Sequence, residues 1–175
     1  LSHDGTLPMR CYCRAFAMIP TSPGPSGSPT RPVSPVKEIL DPGRMVDRYR
    51  ICRLAGMGGM GEVYLAWDTL LERYVALKAV RPGREDPEAT LERFRREALA
   101  LAQLNHPHVC QVYDLVHSEV GTFMAMEWLE GRTLENALPD LDLRARLRII
   151  CEAAEGLEAA HAKGLVHRDL KPSNL

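Results

Sequence analysis

The sequence predicts an α+β fold: a small strand-rich lobe with one helix, leading into a mostly helical lobe. Two observations predict it. Short runs of strand-like residues occur between Tyr49 and Val80, and again between Val109 and Glu127. Between them, and again from Leu143 to Lys163, apolar residues recur at helical spacing.

The first 43 residues stand apart. The run from Pro20 to Pro35 is dense in Pro, Ser and Gly, which remove backbone donors and raise the entropy cost of ordering. Residues 1–43 are expected to be a disordered, solvated tail. A docking peptide for a proline-reading module is the rival reading. The folded domain is expected from residue 44 to 175. Its strand-rich lobe covers 44–127, a crossing segment 127–132, and the start of the helical lobe 133–175.

Within the domain, Tyr49 to Ala55 and Glu62 to Trp67 read as two strands across a glycine turn. A third strand runs from Tyr74 to Val80. Asp86 then caps a helix that opens on Pro87. Leu91, Phe94, Ala98 and Leu101 mark its apolar face, and Asn105-His106-Pro107 ends it. Val109 to His117 and Gly121 to Glu127 read as two further strands, which makes a five-stranded antiparallel sheet. Thr133 to Leu138 suits a short helix. Leu143 to Lys163 suits a long one, with Leu143, Leu147, Ile150, Ala154, Leu157 and His161 along one stripe and Gly164 as its C-terminal cap.

Bulk properties exclude several classes. The 175 residues carry a formal net charge of −1, which gives no support to nucleic acid or an anionic membrane as partner. Cysteines 11, 13, 52, 110 and 151 are scattered and lack zinc-site spacing, so reduced thiols are expected. No apolar run is long enough to span a bilayer, and the N-terminus lacks a signal-peptide pattern. The first residue is Leu, which suggests a fragment or a mis-assigned start.

Four stretches carry chemistry. Gly56-Met57-Gly58-Gly59-Met60-Gly61-Glu62-Val63 is a glycine-rich turn. A dinucleotide-binding fingerprint would need a helix after it, but Val63 to Trp67 is strand-like. A hairpin whose backbone amides can approach phosphates fits better. Lys78 lies on the next strand. On its own it reads as a solvated edge charge. It gains weight from Glu97, which sits along the apolar face of the first helix, where a carboxylate is costly unless paired. Local pairing of Glu97 with Arg93, Arg95 or Arg96 is the alternative. The strand ending at Met126 runs into Glu127-Trp128-Leu129-Glu130-Gly131. Last comes His167-Arg168-Asp169-Leu170-Lys171-Pro172-Ser173-Asn174. Its Asp can accept a hydroxyl proton, its Lys can steady a phosphate and its Asn can hold a metal ion.

These motifs, in this order, resemble those of the bacterial eukaryotic-like serine/threonine protein kinases. The resemblance covers about Arg44 to Leu175 and implies the bilobal protein-kinase fold, ATP with Mg²⁺, and transfer of the γ-phosphate to Ser or Thr of proteins. It implies that Gly56, Gly58, Gly59 and Gly61 cover the nucleotide phosphates and that Glu97 holds Lys78 against them. Leu54, Val63 and Ala76 would form the roof over the base, with Met126 as gatekeeper and the backbone of Glu127 and Leu129 reading the adenine edge. Asp169 would be base or orienter, Lys171 would neutralise the transferred group and Asn174 would bind Mg²⁺. Arg168 implies control by phosphorylation of an activation loop. His167 reads as a packed structural residue. A homodimer for trans-phosphorylation is a further partner in the family.

The Asp-Phe-Gly motif and activation loop of the family do not occur in the 175 residues. The chain by itself is therefore expected not to transfer phosphate, and the long helix to leave its apolar face uncovered. The segment is expected to be cytoplasmic, with any membrane anchor of a parent protein elsewhere. Two rival functions remain: a non-catalytic ATP-binding scaffold, and a small-molecule phosphotransferase of the same broad fold.

Overall fold

The computed structural model describes residues 19–20, 39–58, 61–79, 87–167 and 169–175. Gly59, Arg168, the helix cap Asp86 and most of the Pro/Ser/Gly-rich tail lie outside the described residues.

The strand-rich lobe is a six-stranded antiparallel sheet in the order β2-β3-β4-β5-β7-β6. Its strands are β2 (Met45–Val46), β3 (Tyr49–Gly58), β4 (Gly61–Asp68), β5 (Arg73–Ala79), β6 (Val112–Ser118) and β7 (Gly121–Glu127). The five long strands are those expected. The sixth is a two-residue edge, made when the chain reverses at Asp47 with φ 54°. It is too short to show a period. A separate strand β1 (Ile19–Pro20) pairs antiparallel with β8 (Leu165–Val166).

Alternation along the strands gives the sheet two apolar faces. One carries Tyr49, Ile51, Tyr64, Ala66, Val75, Leu77, Phe123 and Ala125, all buried in one core. Leu40 joins it, and its N–H donates to the Tyr64 hydroxyl at 3.2 Å. Packing therefore begins ahead of residue 44. The other face carries Ala76, Met124 and Met126 and is covered by Phe94, Ala98 and Leu101 of α1 (Pro87–Ala102). Phe94, Ala98 and Leu101 of the apolar face read from the sequence are thus buried, while the side chain of Leu91 lies outside the described residues.

A polar cluster locks the sheet's end. The Arg48 guanidinium lies 3.3 Å from the fully buried Asp68 carboxylate and 3.0 Å from Asp114. It also donates to the Tyr49 hydroxyl. Asp68 accepts from the N–H groups of Leu70 and Leu71 at 3.0 and 3.1 Å. Burial alone would raise the Asp68 pKa, but these donors and Arg48 hold it below the usual carboxylate range. Burial, reinforced by Asp114, pushes the Tyr49 phenol up to about 12.

The helical lobe begins with α2 (Leu134–Ala137), whose N-cap Thr133 accepts from the Asn136 N–H. The long helix α3 (Leu143–His161) starts at Asp142, whose carboxylate accepts from the Ala145 N–H at 2.7 Å. It ends before Gly164, which takes the left-handed φ of 71°. The packed face of α3 is Ile149, Ala153, Gly156 and Ala160. The stripe of Leu143, Leu147 and Ile150 is 71%, 54% and 57% exposed, the uncovered face that the sequence leads one to expect. No helix among the described residues is long and apolar enough to cross a membrane.

Candidate functional site

The last turn of the chain is built around Asn174, which is 1% exposed. Pro172–Asn174 forms a single 3₁₀ turn beneath α2, tied there by the Leu134 N–H donating to the Leu175 carbonyl at 2.7 Å. From this fixed base the Asn174 amide donates twice to Asp169: to its main-chain oxygen at 2.6 Å and to Oδ2 at 3.2 Å. Lys171 Nζ reaches the same Oδ2 at 2.8 Å. The three residues singled out in the sequence therefore converge on one carboxylate.

Electrostatics follow from these contacts. The hydrogen bonds from Lys171 and Asn174 hold the Asp169 carboxyl below its ordinary range, so it is ionised at neutral pH. His167 is buried, and neither ring nitrogen has a partner among the described residues. Burial lowers its pKa, so it packs as a neutral ring. The N–H of Asp169 donates back to the His167 carbonyl.

The two donations by Asn174 fix which end of its amide is nitrogen. Its Oδ1 is left buried with no hydrogen-bond partner among the described residues. An unsatisfied amide oxygen beside an ionised carboxylate is a hard-oxygen donor set of the kind Mg²⁺ takes, as a partial site completed by phosphate oxygens and water. No cluster of three or more His, Cys, Asp or Glu among the described residues could hold a metal ion. The fit is thus to a partly supplied cation, not a protein cage.

On the sheet side, Lys78 lies in β5 opposite Val63 of β4 and Met124 of β7. It is 4% exposed, and Glu97 of α1 is 5% exposed. Neither charge is without a partner. Ala76 and Met124 near Lys78 and Phe94 and Ala98 near Glu97 belong to one apolar cluster, so the two charges border a common core. A buried Glu97 fits poorly with pairing to the exposed Arg96.

Val63, Ala76, Met126 and Leu129 also meet in that cluster, with Met126 opposite Ala76 across β5 and β7. Leu54 does not join them. It stands opposite Tyr64, a residue of the other core, and is 36% exposed. The register shift between Ile51 and Arg53, just ahead of Leu54, sets it on the face of Ile51 and Tyr64, whereas its place in the roof was implied by the resemblance alone. Gly56, Gly58 and Gly61 form the tip of the β3–β4 hairpin, with Gly58 opposite Gly61. Gly61 takes a φ of 112°, a region that L side chains rarely enter. The Glu127 N–H donates to the Gln111 carbonyl at 2.8 Å, which anchors the crossing segment.

Sequence reasoning missed two residues near this cluster. Cys110 is buried in it and touches Glu127, and Trp128 lies under the Arg53 guanidinium at 5.6 Å. Both contacts are long-range, and only the pairing of strands could have signalled them.

Comparison with known proteins converges on one family. The model of the protein kinase domain matches residues 49–175. The probable serine/threonine-protein kinase PknB of Lactococcus lactis is 39% identical over 133 residues, which cover 74% of this chain and 21% of that protein. PrkC, a serine/threonine-protein kinase of Bacillus subtilis, is 37% identical over 135 residues, covering 75% and 21%. The crystal structure of the Mycobacterium tuberculosis PknI kinase domain superposes with a TM-score of 0.67 at 30% identity, covering 78% of this chain and 58% of that one. The chain spans about a fifth of the length of the curated relatives it matches.

Proposed function

The chain belongs to the protein kinase domain family, and on that premise we propose that it provides the nucleotide site and catalytic loop of a serine/threonine protein kinase. The observation that carries this reading is the convergence of Lys171 and Asn174 on the Asp169 carboxylate.

Each residue has a role that its setting supports. Asp169 is ionised but a weak base, because its neighbours hold its pKa down. It serves mainly as the orienter: it accepts the hydrogen bond of a substrate Ser or Thr hydroxyl and takes the proton as the new oxygen–phosphorus bond forms and the γ-phosphorus bond to the bridging oxygen breaks, ADP leaving with that oxygen. Lys171, half-exposed beside it, neutralises charge on the transferred γ-phosphoryl group. Mg²⁺, when bound, supplies charge neutralisation on the phosphate oxygens, and Asn174 Oδ1 is the protein donor that would hold it. Glu97 fixes Lys78, which bears on the α- and β-phosphates beneath the hairpin of Gly56, Gly58, Gly59 and Gly61. Val63 and Ala76 roof the base, Met126 stands as gatekeeper, and the backbone of Glu127 and Leu129 reads its edge. Arg168 is the regulatory partner for a phosphate on an activation loop. The partners are proteins that present Ser or Thr, and a second copy of the kinase for trans-phosphorylation. A cytoplasmic location for the segment belongs to the same proposal, since that is where its ATP would be drawn from.

The test is transfer of labelled γ-phosphate from ATP to a protein acceptor by the full-length protein. Asp169→Asn is expected to lower the rate by about 10²–10⁴-fold while nucleotide binding persists. An unchanged rate in that variant would refute the role given to the loop.

A further inference from the structure

The Arg53 guanidinium lies over the Trp128 ring, 5.6 Å from its centroid. The two residues come from different parts of the site. Arg53 is in β3, three residues ahead of Gly56, where the glycine hairpin begins. Trp128 follows the last residue of β7, in the crossing segment. The two sides of this contact are held unequally. Trp128 is half-buried and packs against the cluster that contains Ala76 and Met126, so its ring is anchored. Arg53 is exposed, on a sparsely paired stretch of strand. β2 pairs with β3 only at Tyr49 and Arg50, and no other described strand covers that edge. On the opposite edge the ladder with β4 shifts just before Arg53 and again after Leu54. The hairpin of Gly56, Gly58 and Gly61 therefore leaves the sheet from a stretch whose pairing is interrupted on one edge and, among the described residues, missing on the other.

We propose that Arg53 is a positioning residue for the nucleotide: laid on the Trp128 ring, it clasps the root of the glycine hairpin to the crossing segment and so holds the hairpin over the phosphates. This rests on the nucleotide-binding reading above. A guanidinium within about 6 Å of an indole centroid is attracted by the negative face of the ring, and Trp is the best of the aromatic side chains for this. A hairpin tethered before the ligand arrives loses less freedom on binding, so its contacts with phosphate contribute more of their strength to affinity. The gain falls on the phosphates, which the hairpin backbone approaches, and not on the base, which lies under Val63 and Ala76. Because Arg53 is exposed, the gain is modest. The charge of Arg53 by itself would also favour a triphosphate, but that effect needs no aromatic ring.

The test compares equilibrium binding of ATP and of adenosine, which lacks the phosphates, to the full-length protein. The ratio of the two affinities is the readout, because a disturbed base pocket or a less stable fold weakens both ligands alike. Arg53→Ala is expected to lower the ratio about 2- to 5-fold. Trp128→Leu keeps the apolar packing and removes the ring, and it is expected to lower the ratio by the same factor. The double variant is expected to lose no more than either single one, because both act through one contact. A ratio unchanged in either single variant overturns the clasp; if only Trp128→Leu leaves it unchanged, Arg53 acts as a charge alone. Losses that multiply in the double variant make the two residues independent and overturn the proposal as well. A wild-type protein that binds adenosine as tightly as ATP overturns the hold on the phosphates but leaves base binding standing. One that binds neither overturns the nucleotide reading itself.

Discussion

Gly156 of α3 lies so close to His108 that a Cβ built on the glycine would stand 3.0 Å from the His108 carbonyl oxygen and 3.2 Å from Val109 Cγ2. The helix is thereby pressed against the loop between α1 and β6. Beside this contact His108 Nε2 meets Glu155 Oε2 at 3.3 Å. Because the nearest atom is backbone, it cannot swing away. Gly156→Ala is expected to destabilise the fold by about 1–3 kcal/mol, although alanine is the better helix former. Thermal denaturation would show it, and a melting temperature at or above that of the wild type would refute the close fit.

The loop that carries Asp169 makes a distinct prediction about acid. Asn174→Asp would place a second carboxylate beside Asp169, where the amide now donates at 3.2 Å. Like charge disfavours ionisation, and a donor is lost with it, so the Asp169 pKa must rise. In the function proposed above the reaction uses the carboxylate form, so the acid limb of the rate profile is expected to move to higher pH. The wild-type limb is expected below the ordinary Asp value of about 3.9, because its neighbours lower it. A pH–rate profile of the full-length variant that superposes on the wild-type limb would contradict this.

The cluster at the end of the sheet sets pH limits on stability from both sides. Asp68 has a folded pKa below its unfolded one, so its contribution is complete above the unfolded value and is lost as pH falls through the folded value. Tyr49 runs the other way. Its folded pKa of about 12 lies above the ordinary phenol value of 10.0, so stability is complete below the unfolded pKa and declines as pH rises toward 12. Denaturant melts at a series of alkaline pH values should show this decline, and Tyr49→Phe should abolish it. A decline of equal size in that variant would assign the effect elsewhere.

The exposed ridge of Leu143, Leu147 and Ile150 is expected to drive self-association of the 175-residue chain as concentration rises. Leu147→Glu with Ile150→Glu should lower light scattering. It should leave the melting temperature little changed, because exposed positions typically contribute within about 0.5 kcal/mol. Scattering that is insensitive to both substitutions would place the sticky surface elsewhere.

The parts of this molecule that the sequence makes legible are those written contiguously. Asp169, Lys171 and Asn174 fall within six residues, and their convergence needs only one loop and one 3₁₀ turn. The long strands and both long helices declare themselves through period. What escapes is whatever depends on a break in period or on distant pairing. Leu54 changes company because β3 bulges beside it. The packed face of α3 is partly hidden because Ala153, Gly156 and Ala160 are small, and hydrophobic spacing draws the eye to larger residues. The Cys110 thiol on the Glu127 carbonyl has no local signature at all.

The irregular strand β3 has a last consequence, for descent rather than chemistry. Its ladder with β4 shifts between Ile51 and Arg53 and again between Leu54 and Gly56. At each shift one residue, Cys52 or Ala55, stands outside the alternation. In an unbroken strand, losing a single residue would turn every later side chain to the wrong face. Here the ladders on either side of Cys52 or Ala55 would close up in their existing register. A lineage could therefore shorten this strand by one residue at either place and keep Ile51 inside and Arg53 outside.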